Sequence, residues 1–198
     1  MKTIVVASHN PGKIEEIRYI LRNWDVKLIG LDELGFHDEI IEDGKSFREN
    51  ALIKAREISK KTDLPVLSDD SGIIVEALEA RPGIHTARYG GDISFSDKRK
   101  MMLGEMEGFD NRTAFFACEI AFIYEGREFT QLGLCFGEIS REERGDFGFG
   151  FDAIFYYPPL KKTFGELRME EKHNLSHRWD ALMRLEEKLA DEGISLIR

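Results

Sequence analysis

Apolar positions along the 198-residue chain change period several times, and each change predicts an element. Residues 4–7 are a continuous apolar run that reads as a buried strand, and the polar turn after it leads into an amphipathic helix over about 11–23. Asn10 suits the N-cap of that helix and Pro11 its first position. Residues 26–29 form a second short strand. An acidic loop over 38–45 ends at Ser46, and Ser46 with Glu49 makes a capping box that opens a helix to about residue 61. Its apolar stripe, Phe47, Ala51, Ala55 and Ile58, leaves Asn50 and Lys54 on an adjacent face. A strand starts at 64–67, Asp69-Asp70 predicts an acidic turn, and a strand resumes over 72–78. Residues 96–106 read as helix. Two long strands follow over 113–124 and 128–138, joined by a turn at Glu125-Gly126-Arg127. Ser176 caps a final helix carrying Trp179, Leu182, Leu185 and Leu189. Helices and strands alternate early and a hairpin comes late, which predicts an α/β fold with a mixed sheet.

Composition narrows the classes of function. The formal charge of -9 argues against a nucleic-acid backbone as the main partner, so local cationic spots point to a small anionic ligand. Cys118 and Cys135 both sit in apolar runs without CxxC spacing, as expected of reduced core thiols. The apolar start at residues 1–7 is too short for a secretory signal core and runs straight into polar Ser8-His9-Asn10. No stretch approaches the roughly 18 apolar residues a membrane helix needs. The expectation is a soluble, cytoplasmic protein with no membrane partner.

Four polar segments carry the candidate chemistry. Ser8-His9-Asn10-Pro11-Gly12-Lys13 joins a strand to a helix N-terminus, where free N–H groups and the helix dipole favour an anion, with Lys13 in reach of a phosphate. It is not a Walker A loop, because the first glycine is missing and Ile14 stands where Ser or Thr would meet magnesium; a plain capped helix is the other reading. Asp69 and Asp70 point to opposite faces if extended, so one faces a site while the other anchors the turn. Hard Mg²⁺ takes one or two protein carboxylates beside substrate phosphates, and Glu42 is the natural second contributor; an Asx-turn with solvated acids is the alternative. Lys172, His177 and Arg178 surround the Ser176 cap, where basic residues oppose the helix dipole and suggest an anionic or polar ligand. Gly148-Phe149-Gly150-Phe151 offers either a base-stacking face or core aromatics. The histidines show no metal-ligand spacing, which disfavours zinc.

In order along the chain, these segments resemble the inosine triphosphate pyrophosphatase family, also called the Ham1 family. The motif T-G-N-x-x-K corresponds to Ser8 through Lys13, and F-x-E-N-A-x-x-K-A is present in full from Phe47 to Ala55. D-D-S-G stands at Asp69 to Gly72, P-G-x-x-[ST]-A-R-Y at Pro82 to Tyr89, G-F-G-Y-D-P-I-F at Gly148 to Phe155, and S-H-R at Ser176 to Arg178. The resemblance implies one domain over residues 1–198, a mixed twisted sheet flanked by helices, in two lobes with a cleft between them, usually in a homodimer. It implies an enzyme that hydrolyses ITP, dITP and XTP to monophosphate and pyrophosphate with Mg²⁺. By motif, Ser8, His9, Asn10, Pro11, Gly12, Lys13 and Lys54 hold phosphates, and Ser71 joins the substrate contacts. Glu42 and Asp70 serve the metal, and Asp70 is the base that activates water. Phe149 stacks on the purine, while Gly150, Phe151, Asp152, Lys172, His177 and Arg178 line the base and sugar side. Donors from Lys172, Arg178 and backbone N–H groups would pair with the purine 6-oxygen and reject adenine. His9, Phe151 and Ala153 replace a glycine, a tyrosine and a proline of the motifs, which bears on fine substrate preference. A pyrophosphatase of modified pyrimidine or methylated nucleotides and a non-catalytic nucleotide-binding regulator are the rival readings.

Overall fold

The computed structural model describes residues 2–196; Met1, Ile197 and Arg198, which the expected 1–198 domain includes, lie outside the described residues. A seven-stranded sheet runs in the order β2-β1-β3-β4-β5-β6-β7. Its strands are β1 Lys2–Val6, β2 Val26–Gly30, β3 Val66–Val75, β4 Thr113–Tyr124, β5 Arg127–Ile139, β6 Phe155–Tyr157 and β7 Lys162–Thr163. β1 pairs in parallel with β2 and β3, while β6 pairs antiparallel with β5 and β7, so the sheet is mixed and the α/β expectation holds. The helices are α1 Pro11–Ile20, α2 Leu31–Leu34, α3 Phe47–Ser59, α4 Phe95–Glu105, α5 Met169–Lys172 and α6 His177–Asp191. No helix among the described residues is long and apolar enough to cross a membrane.

The chain divides into two compact units. The first holds the residues up to Asp70, Cys118–Gly133 and those from His177 onward. Its strands alternate sides, as period-2 geometry requires. Ile4, Val6, Leu67, Ile120 and Phe122 pack toward α1 and α6, while Val5, Ala7, Val66 and Ala121 pack toward α3. Two of the three long helices of that sandwich, α1 and α3, begin on side-chain caps: Asn10 Oδ1 accepts from Lys13 N at 3.1 Å and Ser46 Oγ from Glu49 N at 3.1 Å. The return bond of the second cap falls one residue earlier than the box predicts, Lys45 N donating to Glu49 Oε2 at 2.6 Å.

The second unit comprises Ser71–Ala117 and Leu134–Ser176. Its core gathers Ile73, Val75, Met102, Phe116, Phe155 and Phe164, with the Phe116 and Phe155 rings 4.5 Å apart. Back in the first unit, β4 and β5 are joined through Glu125 and Gly126, whose φ of 50° and 74° suit a two-residue hairpin turn. One expectation fails. Asp69-Asp70-Ser71-Gly72 makes no turn; β3 runs through it unbroken from Val66 to Val75.

Candidate active site

In the first unit the chain leaves β1 and folds back, Ser8 N donating to Val6 O at 2.8 Å. Ser8 Oγ then accepts from Asn10 N at 3.1 Å, and Asn10 caps α1, so the six-residue loop is shaped by its own side chains before any ligand arrives. Pro11 is exposed and Gly12 half-buried at the first helical positions. His9, where the family motif has glycine, turns outward: its Nδ1 lies 3.5 Å from Asp32 Oδ1 and its ring stacks on Phe36. Lys13 reaches inward instead, Nζ 3.2 Å from Asp69 Oδ2.

Because β3 is continuous, Asp69 and Asp70 face opposite sides of the sheet. Val66, Ser68 and Asp70 look toward α3, where Ser68 Oγ donates to Ala51 O at 2.6 Å and Asn50 Nδ2 donates to Asp70 Oδ2 at 3.1 Å. Leu67 and Asp69 look toward α1 and α6. Their electrostatics diverge accordingly. Burial works against the Asp69 charge, yet Lys13, Arg178 and Lys54 prevail and hold its carboxyl far below the usual range. Burial pushes the Asp70 carboxyl up against the pull of Lys54 and Lys13, and the neighbouring Glu42 charge adds to the rise.

Lys54 stands between the candidate metal carboxylates. Its Nζ donates to Glu42 Oε2 at 2.7 Å and lies 3.8 Å from Asp70 Oδ1. Burial disfavours this ammonium, but Asp70, Asp69 and Glu42 together raise its pKa and keep it charged. Among the described residues no group of three or more His, Cys, Asp or Glu side chains converges as a metal cage. A cation here would draw on Glu42 and Asp70 and take its remaining oxygens from a ligand.

Arg178 is deeply buried in the first unit, on α6. It is 1% exposed, and its guanidinium donates to Glu16 Oε2 and to Asp69 Oδ2, each at 2.8 Å. Glu16 is a site residue the sequence reading did not single out. Its signal was positional: four residues before Ile20 and next to Ile17, it occupies the buried stripe of α1. A lone acid on such a stripe implies a buried cation somewhere, though not which one. His177 is buried at the first position of α6.

The second unit assembles the remaining candidates. Phe149 N donates to Asp152 Oδ2 at 2.9 Å, and Lys172 Nζ donates to the same oxygen at 2.7 Å. The Lys172 ammonium also lies 5.2 Å from the centre of the Phe149 ring. Asp152 therefore fixes both the loop backbone and the lysine. Gly148 is required there, since its φ is +74° and a Cβ would sit 2.1 Å from Asp152 Oδ2. Phe149 is half-buried, whereas Phe151 is core: its ring meets Tyr89 and Phe95 edge-on. Gly150 offers its carbonyl to Arg99 Nη1 at 2.8 Å, and Ser71 is half-buried on β3.

Comparison with known proteins identifies the family of the chain. Residues 4–188 match the Ham1 family, and the chain belongs to it. The chain is 42% identical over 195 residues to the dITP/XTP pyrophosphatase of Bacillus subtilis (strain 168), covering 96% of this chain and 98% of that one. It is 40% identical over 185 residues to the dITP/XTP pyrophosphatase of Thermoanaerobacter pseudethanolicus, covering 92% and 93%. The solved structure of a HAM1 protein from Coxiella burnetii superposes with a TM-score of 0.86 at 39% identity, over 96% of this chain and all of that one.

Proposed function

We propose that this chain is a magnesium-dependent pyrophosphatase that converts ITP, dITP and XTP to their monophosphates and pyrophosphate, clearing deaminated purines from the nucleotide pool. The observation that carries the reading is Lys54 held at 2.7 Å from Glu42 and 3.8 Å from Asp70, a buried cation beside two carboxylates that differ in role. The names of the relatives support the substrate class.

The donor set fits Mg²⁺. Two hard carboxylates lie on either side of one ammonium, and the Glu42 charge raises the Asp70 carboxyl, a repulsion that a divalent cation relieves. Glu42 and Asp70 would hold the ion, which when bound neutralises charge on the phosphate oxygens. Asp70 accepts a proton from water as the water oxygen bonds to the α-phosphorus. The bond from that phosphorus to the bridging oxygen breaks, and pyrophosphate departs with the electron pair. Lys13 and Lys54 stabilise the charge that grows on it. Asp69 is unsuited to the base role, because its Oδ2 already accepts from Arg178 and lies 3.2 Å from the Lys13 ammonium.

On the base side, Phe149 provides the stacking face, and Lys172 with backbone N–H groups provides donors for a 6-oxygen. Adenine would set its amine against those donors, a mismatch that such sites reject strongly. With Arg178 committed to Glu16 and Asp69, it acts on the phosphate end through Asp69. The resemblance further implies a homodimer, and the exposed apolar side chains Leu132 and Phe136 on β5 support a protein-covered face there. Two buried cysteines outside any disulfide support a cytoplasmic setting.

The test is incubation of the purified chain and Mg²⁺ with ITP, XTP, dITP, ATP, GTP and dUTP, separating products by ion exchange. Monophosphate plus pyrophosphate from the first three, with ATP and GTP nearly untouched, is the expected result. Orthophosphate would move the cleavage to another phosphorus, preference for dUTP would make it a pyrimidine enzyme, and binding without turnover would make it a regulator. Light scattering on the same sample reads the mass of two chains if the dimer forms.

A further inference from the structure

The 82–89 segment is the one family motif to which the resemblance gives no task. It folds as a 3₁₀ helix, Gly83–Arg88, packed in the second unit against the end of β3. Along this edge the β3 backbone finds partners residue by residue. Val75 N donates to Arg81 O at 3.2 Å and Ile74 bridges to Pro82. A side chain then takes over: Ile73 N donates to Thr86 Oγ1 at 2.9 Å, and the same hydroxyl donates to Gly83 O at 2.6 Å. Thr86 is 9% exposed, and its one hydroxyl serves as acceptor and donor at once.

The far end of the segment is tied as firmly. Tyr89 donates its hydroxyl to Glu105 Oε1 at 2.7 Å and sets its ring against Phe151, inside the loop that carries Phe149 and Asp152. The buried Lys98 ammonium donates to Ala87 O at 2.6 Å and Gly91 O at 3.0 Å, closing the chain around both sides of Tyr89. Such anchoring leaves the segment little freedom. What it holds at its near end is Ile73, three residues past Asp70 and two past Ser71 on one continuous strand.

We infer that Thr86 is a positioning residue for the reaction: its hydroxyl fixes the β3 backbone just downstream of Asp70 and Ser71, in place of the backbone acceptor that a neighbouring strand would supply. The inference rests on the pyrophosphatase reading above. Thr86→Val keeps the shape and removes both bonds, whereas Thr86→Ser keeps the hydroxyl. Small displacements of reacting groups cost about ten- to a hundred-fold in rate.

The experiment measures kcat and KM for pyrophosphate release from ITP by the full-length chain, below the melting temperature of each variant. Hydrogen exchange at the 71–73 amides is followed in parallel. The expected result is a kcat about ten-fold or more lower in Thr86→Val with KM within two-fold, faster exchange at those amides, and recovery of both in Thr86→Ser. A folded Thr86→Val with wild-type kcat overturns the inference, as does a Thr86→Ser impaired to the same degree. Should Thr86→Val be insoluble, Thr86→Ala carries the same comparison. A wild-type chain that releases no pyrophosphate overturns the pyrophosphatase reading and this inference with it, whereas an active wild type beside an unimpaired Thr86→Val overturns this inference alone.

Discussion

Arg178 donates through Nη2 to Asp69 Oδ2 at 2.8 Å, with both side chains sealed from solvent. The pair is held at its other end by Glu16, so one guanidinium answers two buried carboxylates. Breaking such a pair strands charge in the interior, at a cost of about 3–5 kcal/mol. Arg178→Met is therefore expected to lower the melting temperature by roughly 6–20 °C, at about 2–4 °C per kcal/mol for a chain of this size. Differential scanning calorimetry decides the matter. A solvent-reaching arginine that merely touched the base would leave the melting temperature nearly unchanged.

Asp70→Asn is expected to abolish most turnover while the fold persists. General-base catalysis is worth about 10²–10⁴ in rate, and the amide can still accept from Asn50 but cannot take a proton. Pyrophosphate release from ITP, with circular dichroism as the control for folding, reads the loss. A variant retaining half of wild-type turnover would remove Asp70 from the base role.

Removal of divalent cations by chelation is expected to stop turnover, and added Mg²⁺ to restore it. Glu42→Gln should raise the Mg²⁺ concentration needed for half-maximal rate. If that concentration stays the same, Glu42 does not hold the ion.

Glu119 predicts a pH-dependent stability. It is buried on β4, where burial raises its pKa against the opposing effects of Arg48 and a Thr130 hydrogen bond. A carboxyl raised in the fold favours the native state while protonated and loses that advantage as pH climbs through the raised value. Glu119→Gln should therefore melt at a higher temperature than wild type at pH 7. The gap should close as pH falls below about 4.3, where the unfolded-state carboxyl also protonates. A gap independent of pH would mean that packing, not charge, sets it.

Gly133 and Gly104 predict opposite outcomes for one substitution. A Cβ on Gly133 would stand 2.2 Å from Ala181 N and from His177 O, both backbone atoms of α6 that cannot swing aside. Gly133→Ala should cost about 3 kcal/mol or more. Gly104 meets nothing within 4 Å in α4, so Gly104→Ala should stabilise by about 0.5–1 kcal/mol. Thermal melts of the two variants should move in opposite directions.

Local signals were legible in the sequence where local physics decides. Asn10 and Ser46 were visible as caps because a cap is satisfied within three residues, and the β4–β5 hairpin because its turn and alternation lie in one window. The Asp69-Asp70 stretch misled for the same reason. Acid-acid-serine-glycine is turn chemistry when judged alone, and it becomes strand only because Lys13, Asn50, Lys54 and Arg178 arrive from three helices to satisfy the charges. The Glu16–Arg178 bond spans 162 positions, beyond the reach of any local pattern. Motif order marked Arg178 as functional, but its use, buried between two acids, required the fold.

The unbroken course of β3 makes the difference between Asp69 and Asp70 a matter of parity. One carboxylate is odd along the strand and the other even, and nothing in their chemistry distinguishes them. A single residue gained or lost between α3 and Val66, if absorbed by sliding the strand, would send every side chain to the opposite face. The fixed anion and the proton acceptor would then exchange places. Side chains along this stretch are free to change in kind within limits set by packing, but its length is not, and lineages carrying this chain must inherit that spacing as a unit.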